Sequence, residues 1–393
     1  MNEIVTPNEY SDICPFSDSE FHEKMEELVK EPGFKHAVTW VMPDIDFEAF
    51  CQGLLAIDNK RDFQVNIMYP FLEMLAKKTT NGISDTGIEN IDINKSYTMI
   101  TNHRDIVLDA SFMNLSLLRR NYKTTEVAIG NNLLIYPWIE DLVRLNKSIV
   151  VKRDVGMRQA LEAAEQLSGY IHFALTQKHE SVWIAQRQGR AKDSSDGTQE
   201  SLIKMLGIAG GKDYIDNIME VNLLPVAISY EFDPNDYLKA REFLLKKKFP
   251  DFKKTQRDDL FSMETGLLQN KGRVHFSFTP CINDQLEELR GLEKTEQVER
   301  ICKIIDSNIH CHYRIYPCNY IAYDRRFKTD RFKNEYTEAD IESFTTYLNG
   351  QLEKVKKEVD FEITADDREY MLEMMLVMYS NPLCNKLKAT DSL

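Results

Sequence analysis

The chain has no uninterrupted run of about 18 apolar residues, so it offers no candidate for a membrane-crossing helix. Cysteine is sparse and odd in number: 7 residues, widely scattered, argue against a disulfide framework and for free thiols in a reducing compartment. Positive charge is in deficit. With 49 Lys and Arg against 63 Asp and Glu, the net charge of −14 disfavours nucleic acid and general adhesion to anionic lipid. Residues 1–14 are acidic and lack a basic stretch followed by an apolar core, so no secretory signal is expected. There is no internal repeat and no low-complexity tract. From these absences a cytoplasmic protein is expected, one whose contact with the inner membrane surface would need local basic patches.

What remains is an ordinary globular composition, 42% hydrophobic and 28% charged, over 393 residues. That length holds one large domain with accessory regions. Residues 1–90 read as helical. Ser17 and Glu20 can cap a helix that Pro32-Gly33 would end. From Arg61 to Lys78 the apolar residues Phe63, Ile67, Phe71, Leu72 and Leu75 recur at helical spacing. The pattern then changes. Apolar runs at 97–101, 126–129, 148–152, 181–185, 222–230 and 273–279 read as strands, and a clear helix at 156–177 separates two of them. This alternation predicts an α/β fold, with a mixed, mostly parallel sheet flanked by helices. The expected divisions are a helical N-terminal region over 1–90, an α/β domain over 91–335, and a helical C-terminal region over 336–393. Two insertions interrupt the alternation: a Gly-, Ser- and Asp-rich stretch at 193–213, and a lysine-rich one at 244–272.

The chemistry gathers where the expected strands end, the edge at which sites form in such sheets. After the first strand comes Asn102-His103-Arg104-Asp105, with Asp109 following. A histidine near its ordinary pKa can take a proton from an alcohol, and a neighbouring carboxylate fixes its tautomer and stabilises the imidazolium. Asp105 and Asp109 both qualify as that partner, and either also suits a helix cap. Next is Gly130-Asn131-Asn132, then a strand ending in Lys152-Arg153. An arginine's planar fork suits a phosphate, and lysine adds a point charge. A third strand runs into Gln186-Arg187-Gln188-Gly189-Arg190-Ala191-Lys192, where the glycine allows close backbone approach to an anion. The fourth contains Leu224-Pro225-Val226, and the proline suggests that this strand begins at an edge or a bend.

In order and spacing these four segments, spanning residues 96–231, resemble the four blocks of the glycerolipid acyltransferase superfamily. The last block and the Gly130-Asn131-Asn132 stretch look closer to its glycerol-3-phosphate branch than to its lysophosphatidic acid branch. The resemblance implies transfer of a fatty acyl group from an acyl thioester, acyl-CoA or acyl-ACP, to a hydroxyl of a glycerol-phosphate-type acceptor, with no bound cofactor and no metal. It implies that His103 is the base and Asp109 its orienting carboxylate. Arg153, Gly189 and Arg190 would hold the acceptor's phosphate, joined by Arg104, Asn131, Lys152, Gln188 and Lys192 as substrate contacts. Pro225 would shape the acyl-donor side. Two departures stand out. Five residues rather than four separate His103 from Asp109, so a longer loop must restore the contact, or Asp105 takes the role. Gln188 replaces the usual Glu before the glycine, keeping a hydrogen bond but no charge, which bears on the acceptor's identity.

Other features weigh less. His310, Cys311, His312 and Cys318 have donor types that suit a metal, but neither strand nor helix geometry brings all four to one point. Lys246 to Arg257 reads as a solvated charge run, or as a contact for lipid headgroups or an acidic acyl carrier protein. The expected partners are therefore an acyl thioester and a phosphorylated or lipid acceptor, with no nucleic acid. The rival readings are the same chemistry on another lipid acceptor, such as an acylated amino acid, and a non-catalytic lipid or acyl-carrier binding protein.

Overall fold

The computed structural model describes residues 4–153 and 156–391. Among them, seven strands form one sheet: β1 (Ile83–Thr86), β2 (Thr98–Thr101), β3 (Glu126–Gly130), β4 (Ser148–Val151), β5 (Val182–Ala185), β6 (Leu223–Tyr230) and β7 (Val274–Phe278). Their order across the sheet is β1-β7-β6-β2-β5-β3-β4. Every pairing is parallel except β6 with β7. The fold is therefore α/β, with a mixed, mostly parallel sheet flanked by helices. β2 and β6 are buried on both faces, as a sheet covered on both sides demands. One face packs under the helices Met157–Thr176 and Lys294–Cys311, the other under Tyr69–Thr79 and Leu108–Arg119.

The six apolar strands lie where their β-branched runs put them. β1 does not announce itself in the sequence. Ile83-Ser84-Asp85-Thr86 is short and polar, an edge strand whose side chains are alternately half-buried and exposed. It joins the sheet from within the stretch expected to be wholly helical, pairing with β7. Two helix boundaries also differ from expectation. Pro32 opens the helix Pro32–Val41 instead of closing the one before it, since proline's missing N–H costs nothing in a first turn. The periodic stretch after Arg61 is not one α-helix. Gln64–Met68 is π-helical, and Tyr69 N–H reaches back to Gln64. Pro70, next in line, has no N–H for the regular ladder, and the wider turn absorbs the gap.

Pro225 is a correction of a different kind. β6 is an interior strand, between β7 and β2, not an edge. The proline is tolerated because the β6–β7 ladder begins only at Val226, opposite Phe278. At Pro225 the carbonyl alone is used, accepting from Thr279 N (3.1 Å) and Thr279 Oγ1 (2.8 Å).

β2, β3, β4 and β5 run in one direction and end level: Thr101 stands opposite Ala185, and Gly130 opposite Val151. The loops that follow them leave the sheet along one edge. Two further bodies frame that edge. The N-terminal helices pack around Phe21, Phe34, Leu54 and Phe63 against Leu145. The C-terminal helices Glu338–Val355 and Ala365–Asp391 pack with Pro317–Phe327 and Asp236–Lys248. The lysine-rich insertion is mostly ordered helix: Asp236–Lys248 runs into it, and Gln256–Leu268 returns the chain to β7.

Candidate active site

At the end of β2 the side chain of Asn102 continues the ladder in place of backbone. It donates to Ile228 O (2.9 Å) and accepts from Ile228 N (2.8 Å). That double bond pins the start of the turn and sets His103 beside it. His103 Nδ1 lies 2.7 Å from Asp109 Oδ2. The same carboxylate oxygen accepts Arg104 N–H (2.6 Å) and Asp105 N–H (3.0 Å). Three donors on one buried oxygen close the turn and leave the carboxylate little freedom. Because Asp109 accepts, Nδ1 carries the proton, and the lone pair is on Nε2, the side of the ring away from Asp109. The ring is further fixed edge-on against Trp183, centroids 5.8 Å apart.

The extra residue between His103 and Asp109 is taken up in the turn. The helix starts only at Leu108, so the 100° per residue of an unbroken helix does not apply across 103–107. Asp105 has the capping role. Its Oδ1 accepts Val107 N–H (2.9 Å) and Leu108 N–H (2.7 Å). Its Oδ2 is buried without a hydrogen bond. Burial, then the nearby Asp109, pushes the Asp105 carboxyl up, while Lys271 opposes the rise. Burial holds the Lys271 ammonium down at about 8. Tyr230 stands close to Asp109 without a well-formed hydrogen bond. Burial and the two carboxylates raise its phenol well above the ordinary value.

His103 opens onto a cavity of about 2240 Å³. Single small ligands fill pockets of up to about 1,000 Å³, so this one has room for two reactants. One part of its wall is apolar: Phe34, Val38 and Val41 from the 32–41 helix, with Phe71, Leu72 and Ala110. Another part is cationic: Arg153, Arg187, Arg190, Lys192, Lys246 and Lys254. In all, nine Lys and Arg face six Asp and Glu around the cavity, an excess of positive charge in a chain whose net charge is −14.

The level strand ends bring most of the expected residues to this cavity, each in its own way. Arg153 leaves β4 with its N–H on Asn131 Oδ1 (2.9 Å) and its guanidinium over Gly130. A Cβ at Gly130 would lie 2.7 Å from Arg153 Cζ, so the glycine is what lets the cation sit there. Asn131 thus acts through the Arg153 backbone and does not line the cavity; Asn132 does. Lys152 also lines it, tied to Asp12 (2.5 Å) and Gln166 (2.8 Å). Gln188 and Gly189 lie in the turn after β5. Gln188 N–H is held by Gln199 Oε1 (2.6 Å), and Gly189 has φ +69°, where a side chain would be strained. Arg190 Nη1 donates to the Asn235 amide oxygen (3.0 Å), whose NH₂ donates to Ser262 O (3.0 Å). Lys192 pairs with Glu242.

Two expected contacts lie elsewhere. Arg104 is buried, turned away from the cavity, and makes two bonds to Asp196 (3.0 and 2.5 Å), which also accepts Tyr313 OH (2.7 Å). Burial works against the guanidinium's charge, and Asp196, Tyr313 and Asp233 together more than offset it. Pro225 is enclosed in the sheet. The metal-suited donors are separated too: His310 engages Asp196 O (3.0 Å), His312 Asn308 O (2.7 Å), and Cys318 Glu231 O (3.1 Å). Among the described residues no three His, Cys, Asp or Glu side chains group to hold a metal, and no helix is long and apolar enough to cross a membrane. Trp183, Tyr230 and Asn235 belong to the site without having been singled out for it. Their partners His103, Asp109 and Arg190 lie far off along the chain, a distance over which no local pattern carries information.

No family model matches this chain, and no curated protein matches it. Among the solved structures that do match is the 1-acyl-sn-glycerophosphate (LPA) acyltransferase PlsC from Thermotoga maritima, at 10% identity and a TM-score of 0.35, covering 73% of this chain and 93% of that one. At that level of likeness the chemistry has to be read from this chain's own side chains.

Proposed function

We propose that the chain is an acyltransferase, related to the glycerol-3-phosphate branch of the glycerolipid enzymes, that moves a fatty acyl group from a thioester to a hydroxyl of a phosphorylated acceptor. The observation that carries this reading is the buried Asp109 carboxylate 2.7 Å from His103 Nδ1, at a cavity with both apolar and cationic walls. In the proposed step His103 Nε2 takes the acceptor's hydroxyl proton as that oxygen attacks the thioester carbonyl. Asp109 stabilises the imidazolium. The tetrahedral intermediate then expels the thiolate, and the imidazolium returns its proton to sulfur. The products are an ester and a free thiol, and the acceptor itself is the nucleophile. Arg153 and Arg190 hold the acceptor's phosphate within reach, a positioning contribution. The apolar wall between the 32–41 and 108–119 helices takes the acyl chain, with contact to the inner membrane surface bringing lipid to the cavity.

Thiol release from a long-chain acyl thioester, measured with and without glycerol 3-phosphate, tests this. His103→Ala should lower transfer by about 10²- to 10⁴-fold, the usual worth of a general base, with an unchanged circular dichroism spectrum. Full acceptor-dependent activity in that variant would overturn the assignment.

A further inference from the structure

The 236–268 insertion contributes Glu242, Lys246, Lys254 and Asp259 to a charge cluster whose lysines the proposed acyl-transfer step leaves unused. Its hub is Glu242, almost wholly buried, whose Oε1 takes both Lys192 and Lys246 Nζ (2.9 Å). Across from it Lys254 rests on Asp259 (2.5 Å). Arg190 reaches the same space from the turn after β5. Lys192, Lys246, Lys254 and Arg190, with Glu242 and Asp259, all line the cavity, four cations against two carboxylates. The cations are already close enough to repel: burial, then Lys246, Lys254 and Arg190, act to discharge Lys192. Lys192 and Lys246 share a single carboxylate, and Arg190 rests on a neutral amide.

The geometry points to Lys192, Lys246 and Lys254 as a second phosphate station, separate from Arg153, that takes the phosphate groups of a small nucleotide carrier such as coenzyme A. This rests on the acyltransferase reading and specifies the donor. Recession favours a small carrier over an acidic protein. The Lys192 and Lys254 side chains are 31% and 24% exposed, against 53% for Lys246, so two of the three lysines sit back from the surface. Of the neighbouring lysines that would form an outward basic face, Lys247 is turned onto the Tyr370 ring (3.9 Å to its centre) and Lys248 onto Asp367 (2.8 Å) and Phe361. A phosphate adds what the cluster lacks: charge-assisted bonds to several donors at once.

Calorimetric titration of the full chain with coenzyme A, with adenosine 3′,5′-bisphosphate and with pantetheine provides the test. Lys246→Gln/Lys254→Gln should weaken both phosphorylated probes by about tenfold or more, since one charged hydrogen bond is worth roughly that much, and should raise the KM for acyl-CoA equally. Equal binding of coenzyme A by wild type and the double variant, with unchanged melting temperatures, would overturn the station. So would pantetheine binding as tightly as coenzyme A. The two readings fail separately. Transfer from acyl-ACP without coenzyme A binding removes the station and keeps the acyltransferase. Variant-sensitive coenzyme A binding without transfer to any acceptor does the reverse.

Discussion

The Cα of Gly266, on the 256–268 helix, rests against the buried carboxylate of Asp105: a Cβ there would lie 2.1 Å from Oδ2. The insertion that walls the cavity is thereby seated on the turn that holds His103. Gly266→Ala should force the two apart. Overpacking of this kind costs about 1–3 kcal/mol. The expected result is a lower urea midpoint together with lower turnover, because Asp105 caps the helix that carries Asp109. A variant with wild-type midpoint and wild-type turnover would show that the seat is loose.

Gly130 under Arg153 leads to a different outcome. An alanine methyl there would crowd Asn132 Oδ1 as well as the Arg153 guanidinium, and the guanidinium, the end of a flexible side chain, should be pushed out of its place. The acceptor's KM should rise about tenfold, the worth of one charged contact. Steady-state kinetics with glycerol 3-phosphate varied at fixed acyl-CoA would show it, and an unchanged acceptor KM would argue against Arg153 as the phosphate contact.

Arg104 separates structural from substrate roles. Removing one member of a buried ion pair leaves the other unpaired, at about 3–5 kcal/mol. Arg104→Gln should therefore depress the denaturation midpoint strongly, through the stranded Asp196 and Tyr313. Its folded fraction should keep a near-normal acceptor KM. A stable variant with a weakened acceptor would place Arg104 in the site after all.

Lys192 gives the cavity a pH dependence. Burial first, then Lys246, hold its ammonium down at about 7. Glu242 beneath it and Lys246, Lys254 and Arg190 around it are the charged groups that face it. Below pH 7 Lys192 is charged, and the phosphate station has its full strength. As pH rises through 7 the charge is lost and the station weakens. A bound phosphate favours the protonated form, so the complex loses its proton at higher pH than the free protein. The KM for acyl-CoA should climb between pH 6 and 9, and Lys192→Met should flatten the climb. A flat wild-type profile would contradict this account.

Much of the turn that holds His103 could be read in the sequence because its parts are local. Asn102, His103 and Asp109 lie within eight positions at the end of an apolar strand, and only the choice between Asp105 and Asp109 needed coordinates. The choice turns on where the helix begins, at Leu108, which no residue in the run marks strongly. Arg104 misleads for the opposite reason. It stands in a basic cluster beside His103, yet its partner Asp196 is 92 residues away. The strands with β-branched apolar runs could be read, while β1 could not, since its polar residues are held by hydrogen bonding to β7 rather than by burial. Pro225 suggests an edge because proline cannot donate, but the strand beside it stops one residue short and asks for no donor.

The 231–273 excursion leaves from β6 and returns to the strand paired with it, β7, so both of its ends are anchored on one hydrogen-bonded ribbon. Changes of length or composition within it alter the cavity's outer wall, while the four level strands that carry His103, Arg153 and Arg190 keep their register. On the proposed function, reactivity and selectivity are in this way housed in separable parts of the chain, and grafting a different excursion onto the same ribbon is a route to re-specifying which molecules the imidazole meets.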